Sequence, residues 1–189
     1  MNAGFVLVGG RSSRMGRDKA LLPCNSRFMV EHVADQVASA VGNVALIGNP
    51  ERYSALGIDC LSDLRHGLGP LAGIEAALAS NRGELNLIVA CDMPGLEKTL
   101  LLKLLQRAEM NEAQCVVARD EAGLMHPLCA VYSSSCLPAV QRALNARRLK
   151  VLDVVEELGA VPIDIGQQIS NVNTPEEWDA WRESCYIGR

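Results

Sequence analysis

The residues with the clearest chemical potential lie in one short segment near the N-terminus, residues 9–19. The segment follows the apolar run 5–8, which predicts a buried strand, and it opens with the adjacent pair Gly9 and Gly10. Hydroxyl groups and cations follow, on Ser12, Ser13, Arg11, Arg14, Arg17 and Lys19. Backbone N–H groups exposed by glycine, hydroxyl donors and concentrated positive charge are what a di- or triphosphate requires. We therefore interpret the segment as a phosphate-binding loop rather than a solvated basic loop.

Two common phosphate-binding loops do not match this segment. A Walker loop requires Gly-Lys-Ser/Thr after its four variable residues, whereas Gly16 is followed by Arg-Asp-Lys and neither Ser nor Thr follows Lys19. The Gly-x-Gly-x-x-Gly fingerprint of dinucleotide-binding proteins also fails, because Gly9, Gly10 and Gly16 cannot supply its spacing. The segment therefore predicts a phosphate loop of another kind.

A second candidate lies at the end of another apolar run. Asp92 directly follows residues 85–91, which are almost wholly apolar and predict a strand covered on both faces. If this strand and the first are parallel, Asp92 and residues 9–19 share one edge of the sheet. A carboxylate beside a phosphate loop suits Mg²⁺, which takes one or two carboxylates together with substrate phosphates. The alternative is an aspartate that only begins the turn at residues 93–97.

Polar side chains in the C-terminal half form a third set. Asn171 and Asn173 are two residues apart, so in an extended segment they point the same way and could converge on one ligand. Ordinary turn and helix-entry chemistry is the alternative. His126 lies beside Pro127 on a predicted strand, where a hydrogen-bonded structural role competes with acid–base chemistry. Spacing assembles neither a Ser-His-Asp nor a Cys-His arrangement, and three histidines without close pairing give no zinc site.

Composition narrows the possible partners. The formal net charge of −4 gives no general field for nucleic acid or an anionic membrane, and two Trp, three Tyr and two Phe are too few for base-stacking platforms. The sequence contains neither a leader-like N-terminus nor a run of about 18 apolar residues. Seven cysteines without a Cys-x-x-Cys spacing suit a reducing compartment. We expect a cytoplasmic protein with neither nucleic acid nor a membrane among its partners.

The elements that must position these residues follow from the apolar patterns. Strands and helices alternate as far as residue 118, which predicts a parallel sheet. Strands are predicted at 3–8, 44–47, 58–61, 85–91, 114–118, 125–132 and 161–165, and helices at 29–41, 51–56, 70–78, 100–105, 137–144, 151–158 and from 174 onward. The expected fold class is α/β, with a mostly parallel sheet, helices on both faces and mixed strands in the C-terminal half, in one domain over residues 1–189. Pro127 makes its strand an edge or a bend.

Residues 7–19 resemble the nucleotidyltransferase loop Leu-x-Gly-Gly-x-Ser-x-Arg-Met-Gly-x-Asp-Lys, and every fixed position of that pattern is occupied. Cys-Asp-Met-Pro around Asp92 and Asn-Val-Asn-Thr-Pro-Glu-Glu from Asn171 also resemble motifs of the molybdenum cofactor guanylyltransferases, the MobA family. Motif matches extend from Leu7 to Glu177, nearly the whole chain. The resemblance implies a Rossmann-like nucleotidyltransferase fold, similar to glycosyltransferase-A folds.

The same resemblance implies an activity and a set of site residues. The implied enzyme transfers GMP from GTP to the terminal phosphate of molybdenum-molybdopterin, releases pyrophosphate, and uses Mg²⁺ bound to Asp92. The implied catalytic residues are Arg14, Lys19 and Asp92. The implied nucleotide contacts are Leu7, Val8, Gly9, Gly10, Ser12, Ser13, Lys19, Asn49, Asp63 and Asp92, and the implied acceptor contacts are His126, Asn171 and Asn173. Other cofactor-biosynthesis proteins and recipient molybdoenzymes are the partner classes that the resemblance leaves open.

Three alternatives remain at the level of sequence. A cytidylyltransferase acting on the same pterin shares the Gly-Gly-x-Ser-x-Arg-Met-Gly loop, and no residue reads guanine unambiguously. Sugar-phosphate nucleotidyltransferases are less favoured because their loops usually differ after the paired glycine. A non-catalytic accessory protein that binds and delivers the cofactor would require neither Asp92 nor Mg²⁺ for its activity.

Overall fold

The computed structural model describes residues 1–9, 18–24, 27–111 and 113–187. The strands in these ranges are β1 (Asn2–Leu7), β2 (Pro23–Cys24), β3 (Arg27–Phe28), β4 (Ala45–Ile47), β5 (Cys60–Leu61), β6 (Leu85–Ala90), β7 (Cys115–Arg119), β8 (Met125–Ser133) and β9 (Val161–Asp164). The α-helices are α1 (Met29–Val41), α2 (Pro50–Tyr53), α3 (Pro70–Ala79), α4 (Lys98–Asn111), α5 (Leu137–Asn145), α6 (Val151–Glu157) and α7 (Pro175–Ile187). Each predicted strand and helix therefore has a counterpart, with shifts of a few residues at the ends.

The strands form one large sheet in the order β5-β4-β1-β6-β8-β7-β9, while β2 and β3 form a separate antiparallel pair. Strands β5, β4, β1 and β6 are parallel, as are β7 and β9. Strand β8 is antiparallel to both of its neighbours, so it alone runs against the other six. This arrangement confirms the predicted α/β class with mixed strands in the C-terminal half. It also places the carboxyl ends of six strands at one edge, where open α/β sheets bind ligands.

Two apolar clusters cover the two faces of this sheet. Alternate residues of β1 belong to different clusters: Val6 packs with α1 and α4, and Phe5 packs with α3, α5 and α6. Both residues are fully buried. Strand β6 divides in the same way, with Val89 on the first face and Ile88 on the second. Burial on both faces explains why the sequences of these strands are almost continuously apolar.

Helix α1 begins and ends where its sequence predicts. Its buried residues recur at helical spacing and include Val30, Val33 and Val37. Gly42 ends the helix in the left-handed region at φ 89°, and its N–H donates to the Ala38 carbonyl at 2.7 Å. Helix α1 therefore packs as an amphipathic element directly beside β1 and α4.

Strand β8 lies in the interior of the sheet, so the expectation of an edge strand at Pro127 is wrong, and the pairing of β8 with β7 is irregular near this residue. Hydrogen-bonded pairs with β7 are regular from Tyr132 to Ala130, and the pairing then jumps to His126 opposite Ala118. Pro127 falls inside this irregularity. The regular hydrogen-bond ladder is already interrupted there, so the missing N–H of proline costs no ladder bond. The irregularity lies at the sheet edge that carries the candidate site.

Among the described residues, no helix is both long enough and apolar enough to span a membrane.

Candidate active site

Lys19 and Asp92 meet at the carboxyl edge of the sheet. The Lys19 ammonium donates to Asp92 Oδ2 at 2.6 Å, and both side chains are mostly buried, with 19% and 15% of their surfaces exposed. The register brings them together: β1 and β6 are parallel neighbours, and beyond them the Cys91 N–H still donates to the Leu7 carbonyl at 3.1 Å. The chain segments that leave these two strands therefore begin side by side.

Asp18 anchors the backbone that presents Lys19. It precedes a short 3₁₀ helix, Lys19–Leu21, and its Oδ1 accepts from the Ala20 N–H at 3.1 Å. Its Oδ2 accepts from the Tyr53 hydroxyl at 2.8 Å and from Arg52 Nε at 2.7 Å. Burial, followed by the bond to Asp18, raises the pKa of Tyr53 well above its usual range, so the phenol stays a neutral donor. These bonds fix the position of Lys19 relative to α2.

Asp18, Arg52 and Tyr53 are site-supporting residues that sequence reasoning missed. Asp18 was available as a fixed position of the loop pattern, but the pattern gave it no role. Arg52 and Tyr53 carry no local signal, because they reach Asp18 only through the packing of α2 beside the sheet. A contact between residues more than thirty positions apart cannot be predicted from spacing along the chain.

The segment before α7 closes the site from the other side. The Val172 N–H donates to the Asp92 carbonyl at 2.8 Å, and Asn173 Oδ1 lies 3.4 Å from Lys19 Nζ. Asn171 and Asn173 are exposed, whereas Val172 between them is buried against Met29 and Trp178. The two amides therefore project away from the buried side of this extended segment. Asn173 lies beside the Lys19–Asp92 pair. Sequence spacing alone could not predict this position for Asn173.

A capping box holds this segment at the start of α7. The Glu177 N–H donates to Thr174 Oγ1 at 3.2 Å, and Glu177 Oε2 accepts from the N–H groups of Thr174 and Asn173 at 3.0 and 2.6 Å. This reciprocal pattern is the one that Thr-Pro-Glu-Glu predicts. It fixes the Asn173 backbone next to Lys19.

The charge and hydrogen bonding of Asp92 fit a divalent cation. Its Oδ1 is buried and has no hydrogen-bond partner among the described residues, while its Oδ2 is paired with Lys19. A buried carboxylate oxygen with an unused lone pair is a suitable oxygen ligand for a hard cation. In the part of the chain that the structure describes, no three His, Cys, Asp or Glu side chains cluster as a complete metal site. Asp92 would therefore hold a cation together with substrate oxygens or water rather than in an all-protein cage.

The remaining residues predicted to contact the nucleotide follow three strand ends at the same edge. Leu7 and Val8 are buried, and the Val8 N–H donates to the Ile47 carbonyl at 2.9 Å. Gly9 is exposed with φ 104°, a conformation that favours glycine. Gly48 packs so closely against Val8 that an added Cβ would lie 2.8 Å from the Val8 carbonyl oxygen. Four further residues with predicted nucleotide-binding or catalytic roles lie outside the described residues: Gly10, Ser12, Ser13 and Arg14.

Asn49 and Asp63 follow the outer strands β4 and β5. Asn49 Oδ1 caps α2 by accepting from the N–H groups of Glu51 and Arg52 at 2.9 and 3.4 Å, so a nucleotide contact would use its amide nitrogen or backbone. Asp63 is half-buried, and burial raises the pKa of its carboxyl group, with His66 opposing the shift. An added Cβ at Gly73 would lie 3.6 Å from Asp63 Oδ1, which places this carboxylate against α3.

His126 is paired with a buried carboxylate. Its Nε2 lies 2.9 Å from Asp120 Oδ2, and the exposed fractions of the two side chains are 14% and 2%. His126 therefore has the hydrogen-bonded environment of a structural histidine and stands at the sheet edge expected of an acceptor contact. Its predicted acceptor role stays a prediction.

An ion pair between the partly exposed Arg65 and the buried Glu75 fixes the loop that carries Asp63. Arg65 Nε lies 2.9 Å from Glu75 Oε2 in α3, Arg65 Nη1 donates to Asn145 Oδ1 at 2.6 Å, and the Glu75 side chain is only 2% exposed. We expect Arg65→Ala to lower the free energy of unfolding by roughly 3 kcal/mol, because Glu75 is left buried without its cation. Urea unfolding measures this effect.

The exposed pair between Arg82 and Asp59 supplies the matched control, since Arg82→Ala should cost less than about 1 kcal/mol. The combination Arg65→Met with Glu75→Leu should recover most of the lost stability, because it removes both charges and keeps apolar volume. Equal losses for Arg65→Ala and Arg82→Ala would contradict the assignment.

The fold and the paired cation and carboxylate at its carboxyl edge define a nucleotide-binding α/β enzyme. A family model described as the MobA-like NTP transferase domain matches residues 4–160. The chain is 36% identical to a probable molybdenum cofactor guanylyltransferase of Pelotomaculum thermopropionicum, over 92% of this chain and 88% of the relative. It is 33% identical to the molybdenum cofactor guanylyltransferase of Xanthomonas euvesicatoria, over 93% of this chain and 91% of the relative.

The chain belongs to the MobA-like NTP transferases and, within them, to the molybdenum cofactor guanylyltransferases. The crystal structure of molybdopterin-guanine dinucleotide biosynthesis protein A from Archaeoglobus fulgidus superposes with a TM-score of 0.82 at 23% identity, over 99% of this chain and 100% of the other, and shows the same fold. The predicted family, fold class and enzyme class are confirmed. The matched family model ends before Asn171 and Asn173.

Proposed function

We propose that the protein transfers GMP from GTP to the terminal phosphate of molybdenum-molybdopterin, forming molybdopterin guanine dinucleotide and pyrophosphate. The bond between Lys19 and Asp92 at the carboxyl edge carries this proposal, because it puts a cation and a carboxylate suited to hold a metal ion within the length of one triphosphate. Membership of the guanylyltransferase family supports the choice of substrates.

The nucleophile in this reaction belongs to the acceptor. A phosphate oxygen of the acceptor forms a bond to the α-phosphorus of GTP, and the bond from that phosphorus to the bridging oxygen of pyrophosphate breaks. The protein therefore needs to align two anionic substrates and to compensate their charge, and it needs no side-chain nucleophile.

Lys19 supplies the fixed positive charge. Its ammonium group is desolvated and held by Asp18 through the backbone and by Asp92 directly, so it needs little reorganisation to interact with the triphosphate. Asp92 Oδ1 would hold Mg²⁺, consistent with the general use of a divalent metal by nucleotidyltransferases of this kind. When bound, the ion supplies charge neutralisation on the phosphates. The Asn173 side chain, whose Oδ1 lies 3.4 Å from Lys19 Nζ, would orient either Lys19 or a substrate oxygen.

The nucleotide preference tests the proposed function. We expect incubation with the molybdenum-loaded pterin, Mg²⁺ and each radiolabelled triphosphate to give product with GTP at a kcat/KM at least about a hundredfold above that with CTP, since specific hydrogen bonding to a base separates substrates strongly. Preference for CTP would make the protein a cytidylyltransferase, and absence of pyrophosphate release with every triphosphate would make it a carrier. Reaction mixtures without the pterin serve as the control.

We also place this activity in the cytoplasm. The five cysteines whose side chains are described, Cys60, Cys91, Cys115, Cys129 and Cys136, are all free, as a reducing compartment favours.

Burial raises the pKa of the Cys91 thiol, next to the site, to about 12, so it stays protonated and takes no part as a thiolate.

A further inference from the structure

The family resemblance implies that His126 contacts the acceptor, but it gives no role to Asp120, the carboxylate paired with His126. Asp120 follows β7 and is buried, and its two carboxylate oxygens have different partners. Oδ1 accepts from the Leu124 N–H at 2.9 Å, and Oδ2 faces His126 Nε2 at 2.9 Å. The Asp120 N–H also donates to the Leu124 carbonyl at 3.0 Å, so the β7–β8 turn holds this carboxylate in place.

Sheet register puts His126 at the same edge of the sheet as Asp92. Val89 of β6 pairs with Cys129 of β8, and these strands are antiparallel. Asp92 lies three residues beyond Val89, and His126 lies three residues before Cys129. The two residues therefore leave neighbouring strands at the same edge of the sheet.

Asp120 decides which nitrogen of His126 carries the proton. The bond from His126, with support from backbone N–H groups, lowers the pKa of Asp120, so the carboxylate is charged and can only accept hydrogen bonds. Nε2 must then carry a proton, and in the neutral form of the ring Nδ1 is the nitrogen with the lone pair. Among the described residues nothing donates to His126 Nδ1.

The neighbouring cavity favours a ligand with hydrogen-bond donors. A cavity of about 380 Å³ adjoins Asp120 and is lined by Arg119, Asp120, Glu121, Gly123, Asp164 and Gly166. It carries three carboxylates against one guanidinium, and Arg119 is already paired in a bidentate bond with Asp164. This net negative lining disfavours phosphate groups and favours a ligand that presents N–H groups, and His126 is not among the residues that line it.

We propose that Asp120 is a positioning residue that holds His126 in the Nε2–H form, so that Nδ1 accepts a hydrogen bond from an N–H group on the heterocyclic ring of the acceptor substrate. This inference rests on the proposed function and deepens it, because it assigns the ring of the acceptor, rather than its phosphate, to the β7–β8 side of the site. Asp120 itself touches no substrate.

Nitrogen-15 NMR of the full-length protein without substrate tests the first half of the inference. We expect the His126 side chain, assigned by comparison with His126→Phe, to show protonated Nε2 and unprotonated Nδ1. Asp120→Asn should give a mixture of the two tautomers, because an amide can accept from Nε2–H or donate to bare Nε2. Protonation at Nδ1 in the parent protein would overturn the inference, and this measurement needs no variant of Asp120.

Steady-state kinetics test the second half. Asp120→Asn and His126→Phe should each raise KM for the acceptor about tenfold, while kcat and the KM for GTP change less than about threefold. The double variant should lose no more than either single one, since the two residues act through one hydrogen bond. Asp153→Asn is the matched control, because Asp153 is an exposed carboxylate of α6 that is paired with Lys150. It should change neither the KM for the acceptor nor the KM for GTP.

An acceptor KM that is unchanged in both single variants would overturn the inference even if the tautomer is as expected. Failure of the proposed function is distinguishable, because a parent protein that transfers no nucleotide gives no kinetic reference while its NMR spectrum still reports the tautomer.

Discussion

Asp92→Asn is expected to lower kcat for nucleotidyl transfer roughly a thousandfold. The substitution keeps the shape of the side chain but removes the charge from a carboxylate whose buried Oδ1 has no hydrogen-bond partner among the described residues. It also removes the counter-charge that holds Lys19 at 2.6 Å. Loss of the proposed metal ligand and of a fixed electrostatic contact together account for this magnitude. Initial rates of pyrophosphate release at saturating Mg²⁺ measure it.

Metal binding gives this prediction a readout besides activity. We expect Mn²⁺, used as a paramagnetic substitute, to bind the Asp92→Asn protein with GTP at least about tenfold more weakly than the parent protein. Asp59→Asn, at an exposed carboxylate paired with Arg82, is the matched control and should leave both binding and rate unchanged. An Asp92→Asn protein with a rate within tenfold of the parent would show that Asp92 only begins the following turn.

Lys19→Met is expected to lower kcat about a hundredfold or more. Methionine keeps the apolar stem, which is mostly buried, and removes the ammonium that faces Asp92 and Asn173. The loss should fall mainly on kcat, because charge on the α-phosphate and on departing pyrophosphate is greater in the transition state than in bound GTP. Transfer assays over a range of GTP concentrations separate kcat from KM.

Lys103→Met, at an exposed lysine on α4, controls for the loss of one surface charge. The double variant of Lys19→Met and Asp92→Asn should lose much less than the product of the two single losses, since both residues are proposed to act on one triphosphate. Full guanylyl transfer by the Lys19→Met protein would falsify the assignment of charge stabilisation to Lys19. Additive losses would show that the two residues act independently.

Local sequence determined the elements that carry the site. Apolar runs marked β1 and β6, Gly42 marked the end of α1, and Thr174 with Glu177 marked the capping box that starts α7. The glycine-rich segment after β1 and the acid after β6 identified Lys19 and Asp92 as candidates. These features are readable because strand and helix periodicity, caps and left-handed turns depend on residues within a few positions of one another.

Only the tertiary structure decided which of these candidates meet and what supports them. It placed β8 between β6 and β7, where Pro127 would have suggested an edge, and it thereby brought His126 beside Asp120 and towards the end of β6. It also joined Asp18 to Tyr53 and Asn173 to Lys19, pairs separated by 35 and 154 residues. The physical reason is that strand order and helix packing are set by the burial of two whole sheet faces, a property of the assembled chain rather than of any short segment.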